Sequence, residues 1–390
     1  MLKQLRLIHE STGGKNFEDI VEKLSKYDSK VWKFKNSDNS PAECGFLDFD
    51  ACVFNNYGLF LGIVNSRLRR IIFPRVFNLS LIISIRDDLS YIAYIILGKD
   101  KMLRIWEPSL VLPCNCNLPG RYRGDSCPLH SSEFGKEVYR LFLNGVVMFV
   151  YDGIIIYYKR TNILWPPNMD SLYMLYLVRR KDLVDTRTRT VLDLGSGTGI
   201  LGIYLLKKFP HITHLYFSDI FITPIYTSIF NAFVNISRTK KARGRKKIRG
   251  FISDVYDNIP RKLKFDLVIS NPPYLPNLGV KDVSEFRTVF DSYIVKKLII
   301  ESESRAKSLI FSASSISYDM IKDALDSLQD KNGISYEILG TRPSPLKFPH
   351  NFCTKEYVDK LIQYRKNRVR LRESDAFKIW HDVYYFLISY

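Results

Sequence analysis

A chain of 390 residues has room for two domains, each able to bury a core of its own. Its 46% hydrophobic and 25% charged residues are those of a folded globular protein and exclude wholesale disorder. The 58 lysines and arginines against 40 acids leave a formal charge of +18, which points to a polyanionic partner, nucleic acid before a membrane surface, with a basic proteome background as the alternative.

In chain order, the first ten or so residues carry Lys3, Arg6, His9 and Glu10 within their apolar stretch, so a secretory leader is not expected there. A short helical pattern follows at 17–24. From about residue 44 the texture changes to β-branched and aromatic runs at 58–64, 79–85, 91–97 and 103–112, separated by turns, and residues 1–160 are expected to form a β-rich domain. Cys114, Cys116, Cys127 and His130 could together hold zinc, but one residue between the first two ligands strains a shared site, and a polar surface loop without metal is the preferred reading. The 6 cysteines are too scattered for a disulfide framework, which favours a reducing, cytoplasmic compartment. The most apolar regions, 76–98 and 141–158, are broken by Arg86, Asp87, Asp88, Asn144 and Asp152, so no membrane span is expected.

The sequence Trp165-Pro166-Pro167-Asn168-Met169-Asp170-Ser171 opens a helical pattern at 172–178, with Asp170 or Ser171 as the expected N-cap. Beyond it strands and helices alternate: strands at 190–194, 214–218, 248–253, 265–270, 308–313, 335–339 and 384–389, and helices at 199–209, 224–237, 289–305, 317–328 and 356–366. Such alternation predicts an α/β domain over 161–390, a mostly parallel sheet with helices on both faces.

Two stretches carry the chemistry. Val191-Leu192-Asp193-Leu194-Gly195-Ser196-Gly197-Thr198-Gly199 reads as a strand, a tight turn and a helix start, where glycines let a ligand rest against the backbone at a helix N-terminus. Phe265-Asp266-Leu267-Val268-Ile269-Ser270-Asn271-Pro272-Pro273-Tyr274 is a buried-strand run stopped by two prolines, which leaves Asn271 and Tyr274 at the strand end, where open α/β sheets bind ligands. Asp266, early in its run, reads as structural. Gly197-Thr198-Gly199-Ile200-Leu201-Gly202 with Asp219 also satisfies a dinucleotide-binding pattern. Against that reading, Asp193 would set a negative charge beside a pyrophosphate, and Asn-Pro-Pro-Tyr has no task in hydride transfer.

Asp193 to Gly199 and Asn271 to Tyr274 together closely resemble the class I S-adenosylmethionine-dependent methyltransferases, in the amino-group-methylating, small-domain branch, over about residues 165–390. The resemblance implies a seven-stranded sheet whose last strand, here 384–389, is antiparallel. It implies S-adenosyl-L-methionine as cofactor. Asp193 and the backbone of Gly195, Ser196, Gly197, Thr198 and Gly199 would hold the cofactor's amino-acid end. Asp219, with Ile220 beside it, would take the ribose hydroxyls, and Asp254 with Val255 the adenine. Ser171 would close over the methionine end. The Asn271 side-chain oxygen and the Pro272 carbonyl would hold the target amino group in line with the methyl, and Tyr274, after Pro273, would stack on the flat target.

The same pocket suits a base amino group or a glutamine side-chain amide, and the release-factor glutamine methyltransferases share the motif. The cationic run 238–249 and Arg365, Lys366, Arg368, Arg370 and Arg372 are suited to phosphates, and the β-rich N-terminal domain resembles an added RNA-docking module. The expected substrate is therefore a nucleic-acid base, in RNA before DNA. A protein glutamine N5-methyltransferase is the alternative, and a non-catalytic nucleic-acid binder on a retained cofactor fold is the third reading.

Overall fold

The computed structural model describes residues 146–159, 163–164, 167–236, 246–276, 278, 292–329, 334–345, 359–363, 369–371 and 379–390, and before residue 146 the backbone of seven strands. The helical pattern at 17–24, the set Cys114, Cys116, Cys127 and His130, the cationic residues 238–245, and Arg365, Lys366, Arg368 and Arg372 lie outside the described residues. The chain divides into two compact units, Met1–Val111 with Glu137–Lys159, and Leu112–Lys136 with Arg160–Tyr390.

The first unit is built of β-strands. β1 (Ser29–Lys33), β2 (Ala51–Asn55), β3 (Phe60–Asn65) and β4 (Arg70–Ile72) form an antiparallel sheet in chain order. β5 (Leu79–Ile85), β6 (Tyr91–Ile96), β7 (Met102–Glu107), β8 (Val146–Tyr151) and β9 (Ile154–Lys159) form a second sheet ordered β7-β6-β5-β8-β9, with β5 and β8 parallel. β8 and β9 are joined by Asp152 and Gly153, both at positive φ (46° and 74°), the two-residue turn whose twist matches that of the strands it links.

The second unit alternates helix and strand. Its elements are α1 (Met169–Arg180), β10 (Thr190–Leu194), α2 (Ile200–Lys208), β11 (His214–Asp219), α3 (Ile222–Asn235), β12 (Lys247–Ile252), β13 (Leu267–Ser270), α4 (Ser292–Ser302), β14 (Ser308–Ser314), α5 (Tyr318–Gln329), β15 (Ser335–Pro345), β16 (Arg370–Leu371) and β17 (Ile379–Ser389). The sheet runs β12-β11-β10-β13-β14-β17-β15, with the two-residue β16 added against β17. β10, β11, β12, β13 and β14 are mutually parallel, and β17 is antiparallel to both β14 and β15. The mostly parallel sheet is the one that the alternating pattern predicts, and the seven strands with an antiparallel last strand are those that the methyltransferase resemblance implies.

Side-chain alternation divides the core between the two faces. Leu192 and Leu194 of β10 join Val268, Leu309, Phe311 and Phe386 under Val295, Leu298 and Ile299 of α4 and Ile321 and Leu325 of α5. Asp193, between those two leucines, points to the opposite face, where α2 lies. Phe311 and Phe386 are paired across β14 and β17 and stack with centroids 5.0 Å apart. β10 and β13 are buried along their length, as strands covered on both faces must be, whereas edge strand β12 alternates exposed and half-covered residues.

Several boundaries differ from the sequence pattern for local reasons. Phe265 makes only an isolated bridge to Ala306, so β13 begins at Leu267, while Asp266 accepts the backbone N–H groups of Arg189 and Thr190 and pairs with Lys307. β15 continues past a bulge between Ile338 and Gly340 through Pro343 to Pro345, which an edge strand tolerates because its outward N–H groups need no partner. β17 starts at Ile379 rather than Tyr384, because the extended β15 gives Trp380 to Val383 strand partners. The helix expected at 289–305 is Ser292–Ser302 in the described residues, and 359–363 of the last expected helix are helical. Among the described residues no helix is long and apolar enough to cross a membrane.

Candidate active site

The order of strands sets the position of the site. From β10 the chain proceeds to β11 and β12 on one side and returns to β13 and β14 on the other, so β10 and β13 flank the point where the winding reverses. Leu194 and Ser270 are in register there, and the Ser270 hydroxyl donates to the Leu194 carbonyl at 2.8 Å. The glycine turn and Asn-Pro-Pro-Tyr therefore leave neighbouring strands at one edge.

Gly195, Gly197 and Gly199 all have positive φ, 66°, 51° and 81°. Gly199 is the N-cap of α2 and offers no side chain to the helix's orphan N–H groups. Asp193 supplies that acceptor from the strand: its Oδ2 accepts the Gly202 N–H at 2.8 Å. The approach is close enough that a Cβ on Gly202 would lie 2.9 Å from the Asp193 Cβ and 2.7 Å from a Leu215 methyl. The other Asp193 oxygen, Oδ1, is buried and has no donor among the described residues. Burial, with the nearby Asp219 charge adding to it against the pull of the Gly202 N–H, raises the Asp193 carboxyl to about 8.

Asp219 ends β11 and ties two segments together, accepting the Gly197 N–H at Oδ2 and the Phe221 N–H at Oδ1, each at 3.1 Å. Its carboxyl is raised to about 6 by burial, which the N–H groups of Phe221, Gly197 and Ile220 partly offset. From α3, Ser228 donates to the Gly197 carbonyl at 3.0 Å and reaches Ser196 Oγ at 3.2 Å, and Asn231 donates to the Thr198 carbonyl at 3.0 Å. These two fully buried polar side chains brace the glycine turn from behind. In contrast, a Cβ on Gly195 would meet nothing within 4 Å. The turn is thus backed on one side and open on the other.

Asp254 lies past β12, half exposed, with Lys297 Nζ 3.8 Å from its carboxylate. Val255 follows at φ 50°, a rare conformation for a β-branched residue, with its side chain in the core and its carbonyl accepting from Ser218 Oγ at 3.3 Å. No described hydrogen bond links Asp254 to the glycine turn.

Asn271 is held from two directions. Its Nδ2 donates to Ser171 Oγ at 2.9 Å and Asn168 Oδ1 at 3.2 Å, and its Oδ1 accepts from the Ser312 hydroxyl at 2.5 Å. Pro272 is buried and Pro273 half-buried. The Tyr274 hydroxyl donates to Asp170 Oδ2 at 2.6 Å, and Asp170 in turn pairs with Arg342 at 2.8 Å, both side chains only 9% exposed. Burial, then the Asp170 charge, push the Tyr274 phenol well above its ordinary range. The N-cap of α1 is Asn168, whose Oδ1 accepts the Ser171 N–H at 3.0 Å; Asp170 and Ser171 lie inside the first turn, because Asp170 turns inward to Arg342 and Tyr274. The structure therefore gathers Ser171 and Asn271 directly and Asp193, Gly195 to Gly199 and Asp219 into one turn. Asn168, Ser228, Asn231, Ser312 and Arg342 join them without any motif to mark them. Asn168 alone carries a local signal, as a favoured capping residue before a helical pattern.

The methyltransferase small domain family matches residues 176–287. Over 126 residues the chain is 35% identical to the ribosomal RNA small subunit methyltransferase C of Buchnera aphidicola subsp. Cinara cedri, a match spanning 28% of this chain and 33% of that protein. Over 222 residues it is 22% identical to the release factor glutamine methyltransferase of Flavobacterium psychrophilum, spanning 57% of this chain and 67% of that protein. The ribosomal protein L11 methylase of Lactobacillus delbrueckii subsp. bulgaricus aligns in structure with a TM-score of 0.32 and 16% identity, covering 56% of this chain and 79% of that one. The chain spans 33%, 24% and 48% of the length of three of the curated relatives that it matches. S-adenosylmethionine suits the residues present: the unpartnered Asp193 Oδ1 is an acceptor for an ammonium, and the open face at Gly195 admits a ligand against the backbone. The match of residues 176–287 to the methyltransferase small domain family, with these methyltransferase relatives, supports a class I S-adenosylmethionine-dependent methyltransferase with S-adenosylmethionine as its cofactor.

Proposed function

We propose that the protein methylates an exocyclic amino nitrogen of a base in RNA. The observation that carries this reading is Asn271, fixed by three hydrogen bonds at the edge where the glycine turn also ends. When bound, S-adenosylmethionine supplies a methyl group made electrophilic by its sulfonium. Asp193 and the turn from Gly195 to Gly199 hold the ammonium end, Asp219 and Ile220 the ribose, Asp254 and Val255 the adenine, and Ser171 the methionine end.

An amino nitrogen conjugated to a ring is a weak nucleophile, because its lone pair is delocalised. Accepting its two N–H groups at Asn271 Oδ1 and the Pro272 carbonyl orients the lone pair toward the methyl carbon and favours positive charge growing on nitrogen. As the nitrogen took the methyl group, the electron pair of the S–C bond would remain with sulfur, and the N–H held at Asn271 Oδ1 or the Pro272 carbonyl would become acidic enough to pass its proton to water. Tyr274, its hydroxyl fixed by Asp170, offers its ring as a stacking surface for the target.

RNA is favoured by the formal charge of +18 and by relatives named as ribosomal RNA small subunit methyltransferases. Methylation of a protein glutamine is the second reading, favoured by relatives named as release factor glutamine methyltransferases. The test is incubation with methyl-labelled S-adenosylmethionine and cell extract divided into RNA, DNA and protein. Label removed by ribonuclease and recovered in a nucleoside supports the proposal; label resistant to nuclease and recovered in protein replaces it with the glutamine reading.

A further inference from the structure

We infer that Asn168 and Ser312 are positioning residues which lock the Asn271 amide with its oxygen, and not its nitrogen, turned toward the target. The inference rests on the reaction proposed above and specifies how its acceptor is set.

An asparagine amide can sit either way round, and the neighbours decide. Asn168 caps α1 by accepting the Ser171 N–H at its Oδ1, so that oxygen is committed as an acceptor. Asn271 approaches the same oxygen to within 3.2 Å and must present a donor to it. With the amide reversed, two oxygens would face each other there. The second N–H of Asn271 is used at Ser171 Oγ, and Ser312, fully buried on β14, donates its hydroxyl to Asn271 Oδ1. Both donors of Asn271 are then spent and one lone pair on its oxygen remains. The site therefore offers the target an acceptor and no donor from this side chain, which suits a group bearing N–H and gives nothing to a carbonyl oxygen or an unprotonated ring nitrogen. The helix cap thus sets the polarity of a group on a strand about 100 residues away in sequence.

Two measurements on the full-length protein test this. In protein labelled with ¹⁵N-asparagine, the Asn271 side-chain signal, identified by its loss in Asn271→Asp, should show hydrogen exchange slowed at least about tenfold relative to exposed asparagines. Asn168→Ser, which keeps a good cap but cannot reach Asn271, should abolish that protection. In methyl transfer to RNA, Asn168→Ser and Ser312→Ala should lower kcat roughly 10- to 100-fold while the KM for S-adenosylmethionine stays within about threefold. Asn168→Asp, which keeps an acceptor toward both Ser171 and Asn271, should restore most of the rate. Unprotected Asn271 protons in the parent, parental kcat in Asn168→Ser and Ser312→Ala, or equal losses in Asn168→Asp and Asn168→Ser would each overturn the inference. A parent inert toward RNA but with a protected Asn271 signal that Asn168→Ser abolishes would reject the proposed reaction and uphold the locked amide.

Discussion

Tyr274 donates its hydroxyl to Asp170 across 2.6 Å, and this bond ties the end of Asn-Pro-Pro-Tyr to the first turn of α1. Asp170 is also the counter-ion of the buried Arg342 on β15, so one carboxylate holds both the aromatic ring and the edge strand. Asp170→Ala strands a buried guanidinium and should destabilise the protein by about 3–5 kcal/mol. Tyr274→Phe removes one donor from the carboxylate and should cost about 1–3 kcal/mol. Urea unfolding of the two variants checks the order; equal stability of parent and Asp170→Ala would show that the pair contributes nothing.

Asp193 gives a dependence on pH that runs opposite to that of most carboxylates. Its folded value of about 8 lies above the ordinary 3.8, so its contribution to the stability of the ligand-free protein is full below about pH 4 and is lost as the pH rises through 8. Asp219, raised to about 6, adds a smaller loss of the same sign between about pH 4 and 6. An ammonium bound at Asp193 favours the ionised form, so binding of S-adenosylhomocysteine should tighten from pH 6 to pH 8.5 by up to about tenfold per unit and release a proton. Asp193→Asn should flatten both profiles, measured by thermal unfolding and by calorimetry in buffers of different ionisation enthalpy. Identical pH slopes for parent and variant would contradict the assignment.

The glycines should separate packing from binding. Gly202→Ala sets a methyl group 2.9 Å from the Asp193 Cβ, an overpacking that should cost about 1–3 kcal/mol of stability. Gly195→Ala meets open space, and its positive φ costs roughly 1–2 kcal/mol, yet the methyl group enters the side of the turn left for the ligand. Its loss of affinity for S-adenosylhomocysteine should exceed about tenfold. Calorimetry finding full affinity in Gly195→Ala would place the ligand elsewhere.

The formal charge makes a prediction about salt. If the substrate is RNA, its affinity in filter binding should fall by at least about tenfold between 50 and 200 mM salt, since each neutralised phosphate releases counterions. An affinity independent of salt favours the protein substrate.

The glycine turn and the strand before Asn271 were legible because their signals are local. Val191-Leu192 and Leu267-Val268-Ile269 are apolar runs that end in residues with one structural use each, glycine at positive φ and proline as a stop. Ser312, Ser228 and Asn231 were not legible, because each gains its role from a partner tens of residues away and none is unusual where it stands, and Asn168, a good cap by type, owes its contact with Asn271 to the fold alone. The N-cap was misplaced for a related reason. Asn168, Asp170 and Ser171 are all good caps by type, and it is distant partners, Tyr274 and Arg342, that turn that acid inward. The strand expected at 335–339 runs on to Pro345, and its position at the sheet edge is what makes Pro343 and Pro345 tolerable there.

The most direct test of the central claim is to measure S-adenosylhomocysteine affinity and methyl transfer side by side in Asn271→Ala, with the product RNA digested to nucleosides. Affinity should stay within about threefold of the parent, transfer should fall at least about 100-fold, and in the parent the label should lie on an exocyclic amino nitrogen. Transfer undiminished in Asn271→Ala, or parental label on a ring carbon or a ribose oxygen, would contradict it.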